Sequence, residues 1–319
     1  MSAARAIGLV LGVIADGAIG DPRGRPVTGF TRAARAVERR LYADHPLPGA
    51  GYTAGLAGGA VLLGVLAERA GRRHPLAQVA GTAVATWAVL GGARLATEGT
   101  ELARELESGE LDAARRRLAT LDDRCTDGLD VNELSRAAVE TVAGNTANAV
   151  VTPLLWGAAG GVPGLFGARA VTVLSGIVAP RIPRYQSFGW VTARVADLVN
   201  LLPTRAAAAL TVTGAPVVGG SAGRAWQAWR RDTVVHPSPN AGRVEAAFAG
   251  ALEVRLGGRT VYPHGVEELP VLGDGRNPDA GHVTRAVELS RVIGWLAGAS
   301  SATLAVLLGL RRRRRSRRQ

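Results

Sequence analysis

Residues 292–310 read VIGWLAGASSATLAVLLGL, and residues 311–318, directly after them, read RRRRRSRR. The first stretch carries no charge. As an α-helix it spans roughly 28 Å, the depth of a bilayer core. An arginine run with no spacer is what a stop-transfer flank requires, because guanidiniums stay in water and meet lipid phosphates. Two further stretches, 49–67 and 75–93, are also free of charged residues and of the same length. Spans are therefore expected near 49–67, 75–93 and 292–310. The expected class is a mostly α, polytopic integral membrane protein with a polar, cytoplasmic-type segment, rather than a large soluble domain.

The charge agrees with that reading. The chain has 319 residues, no lysine and a net charge of +12, and the basic excess is concentrated in the tail 311–319. Aromatic residues are only 4% and no nucleic-acid module is recognisable, so the expected partner of the basic tail is the lipid bilayer and not a nucleic acid. The positive-inside rule predicts a multi-pass protein of the plasma (inner) membrane with a cytoplasmic C-terminal tail. Cys125 is the single cysteine, which excludes an internal disulfide and a thiolate metal site. The apolar run from Ala6 follows Arg5 and closes at Asp16 with no convincing cleavage site.

Outward from the spans, residues 1–20 predict a short apolar helix ending in Gly-Asp-Pro, and 27–43 an amphipathic basic helix. Residues 97–140 have Glu and Arg at spacings of three and four and predict a helical hairpin with a solvated charged face. Residues 141–180 are nearly uncharged but interrupted by Pro153, Gly160, Gly161 and Pro163, which predicts a bent or re-entrant pair. Residues 206–223 are weakly apolar, and 224–291 read as water-soluble. If the basic segments and the tail share one side, the crossings are even in number, and 141–180 or 206–223 supplies the fourth. The whole chain, 1–319, is expected to be one domain.

Four stretches carry candidate chemistry. In ADGAIGDPRGRPVTGF (15–30), Asp16 and Asp21 sit at the end of an apolar helix, where a carboxylate is costly unless it meets a cation, although a turn or cap is also open to them. In 133–164, Glu140 and Asn145 stand at the mouth of the broken apolar segment, as site residues or helix caps. In PRYQSFGWVTARVADLVNLLPTR (183–205), Arg184, Tyr185 and Arg194 suit a flat anionic ligand, because Arg binds phosphate and carboxylate in pairs and stacks on rings, or form an interfacial belt with Trp190. In HPSPNAGRVEAAFAG (236–250), His236 is titratable, Pro237 and Pro239 stiffen the chain, and Ser238, Asn240 and Gly242 precede a helix start whose N–H groups suit a phosphate.

The order and wording of these stretches, from GDP at 20–22 through RYQSFGW and HPSPNAG to LGDGR at 272–276, resemble the CobD/CbiB family of adenosylcobinamide-phosphate synthases over nearly the whole chain. The resemblance implies an integral membrane enzyme of cobalamin biosynthesis. It implies amide formation between a propionate carboxylate of adenosylcobyric acid, a corrinoid, and (R)-1-amino-2-propanol or its phosphate, with ATP and Mg2+. No P-loop pattern occurs, so a nucleotide site would be of an unfamiliar kind. An acyl phosphate attacked by the amine is the expected chemistry. Asp16 and Asp21 would hold Mg2+, Glu140 or His236 would take the amine proton with Asn145 beside them, and Arg184, Tyr185, Arg194, Ser238, Asn240 and Gly242 would hold substrate.

The chain also departs from the family pattern. It has Arg25-Pro26-Val27 where HPV is usual, Gly144 in place of a Glu, Asn148 and Ser175 in place of Asp, and Ala196 before Asp197 where two acids stand. Fewer carboxylates weaken a site for Mg2+, which wants hard oxygen ligands. Two functional classes follow: an acid–amine ligase, and a degenerate non-catalytic member acting as a membrane scaffold or regulator, in contact with other cobalamin-pathway enzymes. A small-solute transporter is a third, opposed by the lack of matched halves.

Overall fold

The structure is a computed structural model. It describes residues 2–21, 26–72, 74–179, 182–233, 238 and 240–316, with the side chains of 312–316 left aside. The described residues are mostly helical. In order they form α1 (Ser2–Ile19), α2 (Pro26–Leu41), α3 (Pro46–Gly71), α4 (Pro75–Val89), α5 (Gly92–Glu107), α6 (Leu111–Leu118), α7 (Val131–Thr146), a π-turn (Ala147–Val151), α8 (Thr152–Gly160), α9 (Val162–Val178), α10 (Trp190–Gly214), α11 (Ala222–Asp232) and α12 (Ala241–Leu252). A hairpin of β1 (Leu256–Tyr262) and β2 (Gly265–Leu272) and the long α13 (Ala280–Ser316) follow. Proline stands at the first position of α3 and α4, where its missing N–H has no partner to lose.

Among the described residues, five helices are long and apolar enough to cross a membrane: Ser2–Ile19, Pro46–Gly71, Pro75–Glu107, Trp190–Val218 and Ala280–Arg311. The chain is a multi-pass membrane protein. Leu62, Leu63, Leu76, Leu198 and Leu202 are each more than half exposed, as lipid-facing side chains should be. The spans expected at 75–93 and 292–310 run further, to Glu107 and from Ala280, and two more helices depart from the sequence-based expectation. The first helix, read as short, is long enough to cross. Residues 206–218 of the weak segment 206–223 are the second part of an apolar helix that begins at Trp190. Its charges are local: Arg194 pairs with Asp197 at 3.2 Å, and the Arg205 guanidinium folds back onto the Leu201 carbonyl. Segment 141–180 contains the π-turn, α8 and the 17-residue apolar α9, parted by Gly161, whose φ is 73°.

The chain divides into two compact units: residues 1–93, 149–200 and 295–319 form the first, and 94–148 and 201–294 the second. In the first, α1 and α4 touch backbone to side chain. Gly8 and Gly12, a small-xxx-small pair, face Thr82 and Thr86 so closely that a methyl at either glycine would collide. An aromatic cluster of Tyr52, Phe188 and Tyr42, with Ala34, Leu174 and Val178, fills the space where α2, α3 and α9 meet.

In the second unit, α7 starts at a capping box, with Asp130 accepting the N–H groups of Asn132 and Glu133 while Glu133 returns to the Asp130 N–H. Helix α12 is buried from Ala246 to Leu252, so AAFAGAL is small and apolar because it is core. The hairpin is antiparallel, with Thr260 opposite Glu267 and a bulge between Leu256 and Gly258. It was absent from the sequence reading, because Gly257 and Gly258 break the alternation that marks a strand. Its outer edge is covered rather than open. The Gly257 N–H reaches Glu140, the Gly257 and Arg259 carbonyls accept from Arg136, and the Val261 carbonyl accepts the Cys125 N–H.

Candidate active site

Of the residues singled out from the sequence, Asp16, Asp21, Arg184, Tyr185 and Arg194 belong to the first unit. Glu140, Asn145, Ser238, Asn240 and Gly242 belong to the second, and His236 lies outside the described residues.

Asp16 is buried, 6% exposed, near the end of α1. Its Oδ2 accepts the Ala93 N–H at 3.1 Å, at the first turn of α5, where a helix presents unpaired donors and positive potential. Its Oδ1 is buried and has no hydrogen-bond partner among the described residues. Asp21 and Arg169 act on it electrostatically. Trp87 closes the same corner by donating its indole N–H to the Gly20 carbonyl at 2.7 Å. The position combines a cap with an unsatisfied buried carboxylate oxygen within reach of the Arg169 and Asp21 charges.

Arg184 and Tyr185 come together on a residue that sequence reasoning missed. Glu38 of α2 is buried and accepts from the Arg184 guanidinium at 3.1 Å and the Tyr185 hydroxyl at 3.2 Å, while Arg184 lies over the Tyr42 ring at 4.2 Å. Burial, then the Glu38 carboxylate, pushes the Tyr185 hydroxyl up. Arg194 is exposed and paired with Asp197 beside Trp190, as an interfacial belt requires.

Glu140 is not a free carboxylate. Arg124 binds its Oε2 at 2.7 Å and the Gly257 N–H binds its Oε1 at 2.6 Å. Arg124 also holds Asp122 at 3.0 Å, and Thr141 donates to the same Asp122 oxygen at 2.8 Å. Burial opposes the Asp122 charge, but the Arg124 guanidinium outweighs it and keeps the carboxyl below its usual range. The charges of 97–140 were read as one solvated face. That fails here, because Arg124 lies inside, at 6% side-chain exposure. The signal was the doublet Asp122-Asp123 beside Arg124, whose pairing with Glu140 depends on tertiary structure. Glu245 of α12 adds a further acid to this group. Burial, reinforced by the Glu140 carboxylate, pushes it up to about 8. Asn145 is half-buried, five residues past Glu140 on α7, and a Cβ at Gly144 would meet nothing within 4 Å.

At the start of α12, Ser238 accepts the Ala241 N–H at 3.1 Å and the Asn240 N–H at 3.4 Å, so this hydroxyl serves the donors that were expected to face a phosphate. Asn240 is buried and accepts from Thr204 at 3.3 Å, and Gly242 is buried in the first turn. Burial and the neighbouring Arg205 guanidinium push Arg243 below the usual range of an arginine, so two cations lie near this helix start. Among the described residues, no group of three or more His, Cys, Asp or Glu side chains is placed to hold a metal.

Residues 9–290 match the family described as CobD/Cbib protein. The chain is 50% identical to the cobalamin biosynthesis protein CobD of Mycobacterium tuberculosis (strain ATCC 25618 / H37Rv), over 97% of each chain. It is 39% identical to the protein of that name from Geobacter metallireducens, over 83% of this chain and 86% of the relative. With that of Chromobacterium violaceum it shares 34% identity over 95% and 98%. No solved structure matches the chain. With most of its length covered by both kinds of match, the chain belongs to the CobD/Cbib family.

Proposed function

We propose that this chain works in cobalamin biosynthesis as a membrane-bound acid–amine ligase, joining a propionate carboxylate of adenosylcobyric acid to (R)-1-amino-2-propanol or its phosphate. The observation that carries the reading is the buried Asp16, with one oxygen capping α5 and the other without a partner among the described residues. A buried carboxylate oxygen left without a hydrogen bond is costly and marks a place that a cation completes.

Mg2+ fits this position, since it keeps several waters and takes only one or two carboxylates plus phosphate oxygens. Asp16 and Asp21 would hold it. ATP with this ion supplies the activation that turns a carboxylate, a poor electrophile, into a group an amine can attack. Within the first unit, Arg184 is half-exposed beyond its Glu38 pair and suits the phosphate of the amine substrate. Within the second, both Glu140 oxygens are already engaged, by Arg124 and by the Gly257 N–H, which suits a positioning role better than proton transfer. Glu245, poised near 8, is the better acceptor for the amine proton. Arg205 and Arg243 give the start of α12 the charge that a phosphate needs.

The test is genetic and chemical. The chain is expressed in a cobalamin-producing host that lacks its own synthase, cobyric acid is supplied, and products are read by mass spectrometry. Cobinamide-level product is expected, and Asp21→Asn should abolish it. The second reading, a non-catalytic scaffold, is favoured by Gly144, which leaves open space where the family resemblance places a carboxylate. Absence of product from a chain present in the membrane would establish that reading.

A further inference from the structure

We infer that the end of the first unit formed by the start of α1, the end of α3 and the turn between α8 and α9 is a binding site for the phosphate of an anionic phospholipid. A cavity of about 230 Å3 opens there, lined by Arg5, Glu68, Arg69, Arg72, Gly160 and Pro163 among others. A water occupies roughly 30 Å3 of liquid, so the space admits a phosphate with room for its ester oxygens.

The charges in this cavity do not cancel. Glu68 is its one carboxylate and is buried. It already binds Arg5 at 3.1 Å, Arg72 at 3.6 Å and the Val162 N–H at 3.2 Å. Two of the cavity's three guanidiniums thus share its one carboxylate, and the third, Arg69, makes no ion pair among the described residues. The start of α9 lies against the same carboxylate and adds the positive end of a helix. Guanidiniums arranged this way suit the oxygens of a phosphate, which they bind in pairs.

The surroundings select a lipid as the carrier of that phosphate. On α3, Leu62, Leu66 and Arg69 follow at spacings of four and three and so share one face. Leu62 is 57% exposed and Leu66 52%, on a helix long and apolar enough to span. A leucine stripe running into an arginine cavity matches acyl chains leading to a phosphate, and offers nothing to a small hydrophilic anion. Gly309 of α13 packs against Ser2, so the arginine run that begins at Arg311 starts from this same end. The inference does not depend on the catalytic reading above.

The experiment is native mass spectrometry of the full chain in detergent, with phosphatidylglycerol and phosphatidylcholine of identical acyl chains. The wild type should retain one phosphatidylglycerol with a preference of roughly 10- to 30-fold, as two surface cations provide. Arg69→Gln with Arg72→Gln should lose that preference, and replacing the arginines of 311–318 by Gln should keep the one tightly held lipid. If the double variant fails to fold, Arg69→Gln alone carries the test, since that side chain has no ion pair to lose. Unchanged preference in a folded cavity variant overturns the proposal, as does a preference lost only with the tail. Displacement of the lipid by an equal concentration of inorganic phosphate would make a soluble phosphate the ligand and overturn the lipid assignment.

Discussion

Arg124 and Glu140 meet at 2.7 Å with side-chain exposures of 6% and 4%, and Glu140 in turn anchors the Gly257 N–H on the outer edge of β1. The pair joins α7 to a hairpin more than a hundred residues later in the chain. Removing one partner leaves a buried charge unmatched. Glu140→Ala should therefore destabilise the second unit by about 3–5 kcal/mol, whereas replacing both residues with Met should recover part of the loss. Denaturation of the purified protein in detergent measures both.

Glu245 supplies a pH dependence. Its carboxyl is raised from 4.5 to about 8 in the folded chain. A group raised on folding contributes stability that is fully present below its unfolded value and is lost as pH rises through the folded one. Stability should fall as pH rises from about 4.5 through about 8 and level off above it. Glu245→Gln should flatten that slope. Thermal melts across this window decide the matter, and an equal slope in the variant would remove Glu245 as its source.

Asp16 separates a structural role from a chemical one. Asp16→Asn retains an oxygen to accept the Ala93 N–H and removes the charge. If Asp16 serves a cation, product formation should drop by about 100-fold or more while the melting temperature is nearly unchanged. A simple cap would give the opposite pattern, with activity retained.

Ser238 is expected to behave as a helix-start acceptor. Ser238→Ala should lower stability by about 1 kcal/mol, the usual size of a lost cap. The KM for the amine substrate should stay within about twofold, since its hydroxyl already serves two backbone donors.

Gly12→Val should separate α1 from α4, because Thr86 fills the space that a side chain would need. The loss should be about 1–3 kcal/mol or more, as overpacking requires. It is read as the fraction of chain recovered folded from membranes.

The legibility of this protein followed the range of the forces involved. Apolar length and the arginine run are local properties, so 49–67, 75–93 and 292–310 marked long apolar helices and a membrane protein before any contact was known. The corner HPSPNAG was legible as special. Its Ser238 turn is local, whereas the buried Asn240–Thr204 contact brings in a residue from α10. The wording of the four motifs was enough for the family, since it is written residue by residue. Tertiary structure alone decided which charges are buried. Asp122 and Arg124 look like any solvated hairpin in sequence, and only the arrival of Glu140 and the β1 edge takes them out of water. Likewise Glu38 gathers Arg184 and Tyr185 across about 146 residues, and Glu68 gathers Arg5, Arg72 and the start of α9. Ion pairs depend on distance in space, not along the chain, and hydrophobic spans depend on composition along the chain, which is why one was readable and the other was not.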